Sequence, residues 1–96
     1  MKALVYSPEA QKDIDGIWDY SAANWGADQA DRYVAGIRDA CHALASGHRQ
    51  GRPVRVGGRH YLKHAAGSHV IWFRSGPGGI VVVRILHGRQ DAPRHI

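Results

Sequence analysis

Ser68-His69-Val70-Ile71-Trp72-Phe73-Arg74, followed four turn residues and a glycine later by Ile80-Val81-Val82-Val83-Arg84-Ile85-Leu86-His87-Gly88-Arg89-Gln90-Asp91, decides the fold. Both runs are rich in β-branched and aromatic residues, and Ser75-Gly76-Pro77-Gly78 between them is turn chemistry, so together they read as a β-hairpin. The second strand ends in a cluster of basic side chains. Strict alternation along it points Val81, Val83 and Ile85 one way and Ile80, Val82, Arg84 and Leu86 the other. Both rows are apolar, which normally means burial on both faces. One layer of helices covers one face only. The other needs a cover, either a partner segment or the protein's own first strand or basic loop.

Upstream, about Arg59 to His64 is a further strand candidate, closed by a turn at Ala65-Ala66-Gly67. His48 to Gly58 is rich in glycine and arginine and reads as a loop. Ahead of it lie two helical patterns. Ser7-Pro8-Glu9 starts the first with a capping hydroxyl, a proline at the first helical position and an early acid. Ala10, Ile14, Ile17, Trp18, Ser21 and Trp25 share its apolar face, and Gly26 ends it. The second helix carries Ala30, Tyr33, Val34, Ile37, Cys41 and Leu44 as its stripe and stops at Ser46-Gly47. Ala3 to Tyr6 is a short first strand. The order β-α-α-β-β-β is an α+β domain, an antiparallel sheet with a helical hairpin packed on one face, spanning residues 1–96 as a single domain.

Charge is segregated along the chain. Residues 1–47 hold four basic and seven acidic residues, whereas residues 48–96 hold nine basic residues and Asp91 alone, for a net charge of +5. A second half this basic implies a polyanionic partner: nucleic acid, a complex containing it, or an acidic protein. The lone cysteine, Cys41, excludes an internal disulfide and suits a reducing cytoplasm. Its place on the helical stripe reads as core packing rather than nucleophilic chemistry. No secretory or membrane-spanning segment is visible.

Arg84, His87, Arg89 and Arg94, with Arg59 and Lys63 on a neighbouring strand, form the candidate site. Arginine pairs bidentately with phosphate, and histidine moves a proton near neutral pH. Seven histidines show no zinc-ligand spacing, so neither a metal nor another cofactor is expected. Trp18 and Trp25 read as core residues. Trp72, on a strand, stays open between a core residue and a base-stacking platform.

Ile17-Trp18, Trp25-Gly26, Gln29-Ala30, Tyr33, Gly51-Arg52, Ser68-His69 and Val83-Arg84-Ile85-Leu86-His87 with Arg89, Asp91 and the Arg94-His95-Ile96 end carry a resemblance that runs over nearly the whole chain. In that order and spacing they resemble the ParE branch of the RelE/ParE superfamily, toxins of bacterial type II toxin–antitoxin pairs. The resemblance implies a non-enzymatic, cytoplasmic inhibitor of DNA gyrase that stabilises the cleaved-DNA complex, arrests growth and stabilises plasmids. It also implies neutralisation by a ParD-type antitoxin in a hetero-oligomer, the antitoxin's segment folding on the toxin. Arg84, His87, Arg89 and Arg94 are then the target-binding candidates. Trp72, Arg74, Ile80, Val82 and Leu86 are the antitoxin-binding candidates, as one uncovered sheet face. The alternative is a RelE-type mRNA endonuclease, ribosome-dependent or free, with His87, Arg89 and Arg84 as its catalytic residues. The chain lacks the Tyr or Lys that such nucleases carry after the position of Arg89, which leaves that acid–base set incomplete.

Overall fold

The computed structural model describes residues 3–96. Lys2, one of the four basic residues of the acidic half, lies outside them. The elements run β1 (Ala3–Tyr6), α1 (Pro8–Trp25), α2 (Ala27–Ser46), β2 (Arg52–Val56), β3 (Arg59–Ala66), β4 (His69–Gly76), β5 (Gly79–His87) and α3 (Ala92–His95). The two long helices pack on one face of a five-stranded sheet of order β1-β5-β4-β3-β2, the α+β arrangement expected from the sequence. Among the described residues no helix is long and apolar enough to cross a membrane.

Local chemistry explains where the helices begin and end. The Ser7 hydroxyl accepts from the Ala10 amide at 3.0 Å and donates to the Val83 carbonyl at 2.6 Å, so one side chain caps α1 and pins it to β5. Gly26 alone joins the two helices at φ +90° and ψ 161°, a conformation that a side chain resists. Trp18 donates to Asp31 at 2.8 Å across that junction. The core beneath the hairpin comprises Ala10, Ile14, Ile17, Val34, Ile37, Ala40, Cys41 and Leu44 from the helices, and Ile71, Phe73, Ile80, Val82 and Ile85 from the sheet. Cys41 is fully buried there, as a core residue should be.

The sheet departs from the sequence reading in two places. β1 pairs with β5 in parallel, Ala3 opposite Gly79 and Tyr6 opposite Val82, so the sheet is mixed at that edge. The glycine- and arginine-rich stretch holds a strand rather than a loop alone. β2 pairs antiparallel with β3 from Arg52 opposite Lys63 to Val56 opposite Arg59. Gly57 and Gly58 sit at φ +58° and +80°, the two left-handed positions of a tight two-residue hairpin turn. Pro53 is tolerated because β2 is an edge strand.

A bulge decides the facing of β5. Trp72 lies opposite Arg84, but the next residue, Phe73, lies opposite Val82, leaving Val83 as the extra residue. Simple alternation therefore fails across Val83. Ile80 and Val82 join Ile85 in the core under the helices, while Leu86 joins Tyr61 and Trp72 in a second buried cluster on the opposite face. The expected single row of Trp72, Ile80, Val82 and Leu86 does not exist. It is split between two faces, and all four side chains are buried within the chain. The cover for the second face comes from the protein itself. Ala92 and Ile96 of the terminal turn pack against it with Val54, Val56, Val70 and Val83. Lys63 lies over the Trp72 ring at 5.7 Å and Arg74 over the Tyr61 ring at 4.8 Å, their apolar stems adding to that cover.

Candidate functional site at the strand-end cleft

His69 opens β4 and His87 closes β5, and the antiparallel register places them directly opposite one another. Their rings meet edge to face with centroids 5.4 Å apart. From α2, the Tyr33 hydroxyl reaches His69 Nδ1 at 2.6 Å and also accepts the Ser68 amide at 3.0 Å. The Ser68 amide occupies one lone pair of the hydroxyl oxygen, and the hydroxyl and Nδ1 share the remaining hydrogen bond, whose direction follows the histidine tautomer. His87 Nδ1 accepts the Arg89 amide at 3.2 Å, which puts the proton of the neutral ring on Nε2. Gly67 completes the corner. At φ +60° it has no side chain, and a Cβ there would come within 2.8 Å of the Tyr33 ring.

Burial, then the neighbouring His87, pulls the His69 pKa below its ordinary 6.5, with Asp13 pulling weakly the other way. The folded state therefore binds this proton less readily than the unfolded chain. Stability is full above pH 6.5 and falls as pH drops through that value toward the lowered folded pKa. Thermal melts between neutral and mildly acidic pH are expected to show this loss, and His69→Gln is expected to flatten it. An equal acid slope in the variant would show that another group titrates.

Tyr20, Ser21 and Trp25 from α1, with Gln29 and Tyr33 from α2, wall a cleft of about 310 Å³ whose floor is Ser68, His69 and His87. Tyr20 and Trp25 pack edge to face at 6.0 Å yet remain 63% and 64% exposed, so Trp25 is a surface residue and not the core residue its helical position indicated. A second depression continues past His69 and His87 to Lys12 and Asp13. Trp25, Gln29, Tyr33, Ser68, His69 and His87, scattered over the sequence and all among the points of resemblance, line one cleft.

Arg84 stands apart from this group. Its Nε and Nη2 hold the two Asp13 carboxylate oxygens at 2.8 and 2.9 Å, and Nη1 donates to the His95 carbonyl. The same carboxylate accepts the Ile85 amide at 2.9 Å, on the edge of β5 that β1 is too short to cover. The hydrogen bond to Asp13 raises the Arg84 pKa above its ordinary value. A guanidinium committed in this way to an acid, a strand edge and the terminal turn is a structural tie. The sequence missed Asp13 because it lies on the polar side of α1 and is remote from β5 along the chain. Arg89 and Arg94 remain exposed. Arg94 meets Asp91 at 3.5 Å in a surface pair of little energetic weight. The structure thus joins His87 to His69 and Tyr33 rather than to Arg84. Among the described residues, no three His, Cys, Asp or Glu side chains group as metal ligands.

A hairpin of helices on a mixed sheet is a fold shared with known proteins. Residues 4–92 match the family described as ParE toxin of type II toxin–antitoxin system, parDE. The chain is 40% identical over 94 residues to Toxin ParE1 of Mycobacterium tuberculosis, covering 94% of this chain and 93% of that one. It is 33% identical over 99 residues to Toxin ParE1 of Caulobacter vibrioides, covering 100% and 99%. A solved structure described as a chromosomal ParDE TA system from P. aeruginosa superposes with TM-score 0.76 over 91% of this chain and 96% of that one, at 24% identity, and supports the fold. The chain belongs to the ParE toxin family of type II toxin–antitoxin systems.

Proposed function

We propose that the protein acts in the cytoplasm as a non-enzymatic inhibitor of DNA gyrase, neutralised by a ParD-type antitoxin, with residues 1–96 working as one toxin domain. The observation that carries the non-enzymatic reading is the Arg84–Asp13 tie. It withdraws one of the two arginines that a phosphoryl-transfer site would draw on beside His87, leaving Arg89 without it. His87, Arg89 and Arg94 are left as target-binding side chains, next to a cleft whose rim is the exposed Tyr20–Trp25 pair. Exposed aromatic and basic residues at one end of a small protein suit a protein target.

The antitoxin reading changes in place and not in kind. Ile80 and Val82 are consumed by the core, and Trp72 and Leu86 by the second cluster, so these four cannot receive a partner while the chain stays folded. Arg74 remains exposed. An antitoxin segment covering the Tyr20–Trp25 cleft would bury its apolar rim and hide His87 from the target. The paired imidazoles of His69 and His87, with the exposed Arg89 next to them, favour the ribonuclease alternative. Both readings meet one test, in which purified protein is assayed for gyrase supercoiling and for cleavage of mRNA with and without ribosomes. Loss of supercoiling with intact RNA is expected. Cleaved RNA with normal supercoiling would replace the gyrase reading by the nuclease one.

A further inference from the structure

The second face of the sheet is a basic surface. Cross-strand partners share a face, so Arg52 opposite Lys63 and Arg59 opposite Val56 lie on the side that carries Tyr61 and Val54. Arg74 lies opposite Val81 and over Tyr61, on the same side. Between Asp39 and Asp91 the sequence has no acid, so β2 to β5 present these four cations without a carboxylate of their own. The acids Asp15, Asp19, Asp28, Asp31 and Asp39 sit on the helical layer instead. Arg59, Tyr61 and Arg74, together with Pro53, His60, Leu62 and Ser75 of the opposite row, line a depression of about 770 Å³ at the end where the pairing of β3 with β4 stops.

We propose that this face binds duplex DNA through its phosphodiester backbone. Its aromatic rings, Tyr61 and Trp72, are only 6% and 7% exposed beneath Arg74 and Lys63, so they offer no platform for unstacked bases of single strands or RNA loops. A peptide needs apolar anchor pockets, and over the cluster of Tyr61, Trp72 and Leu86 that place is taken by Ala92 and Ile96 of the chain's own terminal turn. Cations spread across three strands over a filled floor suit regularly spaced phosphates. Such contacts position a protein on DNA without reading its sequence. A toxin with this face would meet the DNA that a gyrase complex holds.

Fluorescence anisotropy of a labelled DNA duplex of about 20 base pairs, measured at about 50 and 200 mM salt, tests the proposal. Four phosphate contacts give a dissociation constant of micromolar order at the lower salt, weakened roughly 100-fold at the higher. Arg59→Glu combined with Arg74→Glu is expected to weaken binding at least about tenfold with an unchanged circular dichroism spectrum. Should that variant not fold, Arg52→Gln with Arg59→Gln reads the same loss more gently. Absent binding at low salt, affinity insensitive to salt, or full affinity in a folded double variant would overturn the proposal. Displacement of the DNA at lower concentration by a duplex RNA of equal length, or by polyglutamate, would overturn the choice of DNA. The assay contains no gyrase, so its failure leaves the supercoiling result to be judged by itself.

Discussion

Val82→Asp is expected to remove a large part of the protein's stability, and all of it if the parent lies at the low end of the usual range. Val82 is fully buried, packed under the helical hairpin between Phe73 of β4 and Tyr6 of β1. A carboxylate there loses its water without gaining a partner, and removes an apolar side chain from the core as well. The combined cost is about 4–5 kcal/mol or more, against a total stability of about 5–15 kcal/mol for a domain of this size. Val81→Asp is the control. Val81 is 43% exposed on the opposite face, and its replacement is expected to shift stability by about 0.5 kcal/mol or less. Circular dichroism and thermal melts of the pair decide the matter. A cooperative melt of Val82→Asp within a few degrees of the parent would show that Val82 does not face the core.

Asp13→Ala is expected to cost more stability than Arg84→Ala, an order that a simple ion pair would not give. Removing the carboxylate strands both the Arg84 guanidinium and the Ile85 amide. Removing Arg84 leaves Asp13 still accepting that amide. The side chains keep 20% and 14% of their exposure, so water partly rescues each charge and the loss lies toward the low end of the buried-pair range. About 2–3 kcal/mol is expected for Asp13→Ala and about 1–2 kcal/mol for Arg84→Ala. Growth arrest should follow stability in both variants. Arg89→Ala, at an exposed position, should lose toxicity with its melting temperature unchanged. A folded, fully stable Arg84→Ala that no longer arrests growth would return Arg84 to the target-binding group.

The same residues show how far the sequence could be read. The helices were legible because their signals are local: Ser7-Pro8 at one end, Gly26 between them, Ser46-Gly47 at the other, and an apolar stripe in each. The hairpin of β4 and β5 was legible too, since alternation and turn residues are local as well. The facing of β5 was not. One extra residue at Val83 reverses every later side chain, and a run of four apolar residues from Ile80 to Val83 gives no sign of where the slip falls. β2 was hidden because arginines and a proline suit an edge strand as readily as a loop, although Gly57-Gly58 between Val56 and Arg59 marks its turn. In the site, His87 and Arg89 were found from their position. His69 and Tyr33 were found only as points of resemblance, because their pairing is a contact across 36 residues. Asp13 and Arg84, 71 residues apart, left no local sign at all.

The most direct measurement of gyrase inhibition is the amount of linear plasmid released by denaturant and protease from reactions holding gyrase, ATP, relaxed plasmid and increasing toxin. Linear DNA is expected to rise with toxin concentration, to require gyrase, and to fall back when a ParD-type antitoxin is added first. Linear DNA that stays at the toxin-free level while supercoiling proceeds normally, from protein shown to be folded, would contradict gyrase as the target.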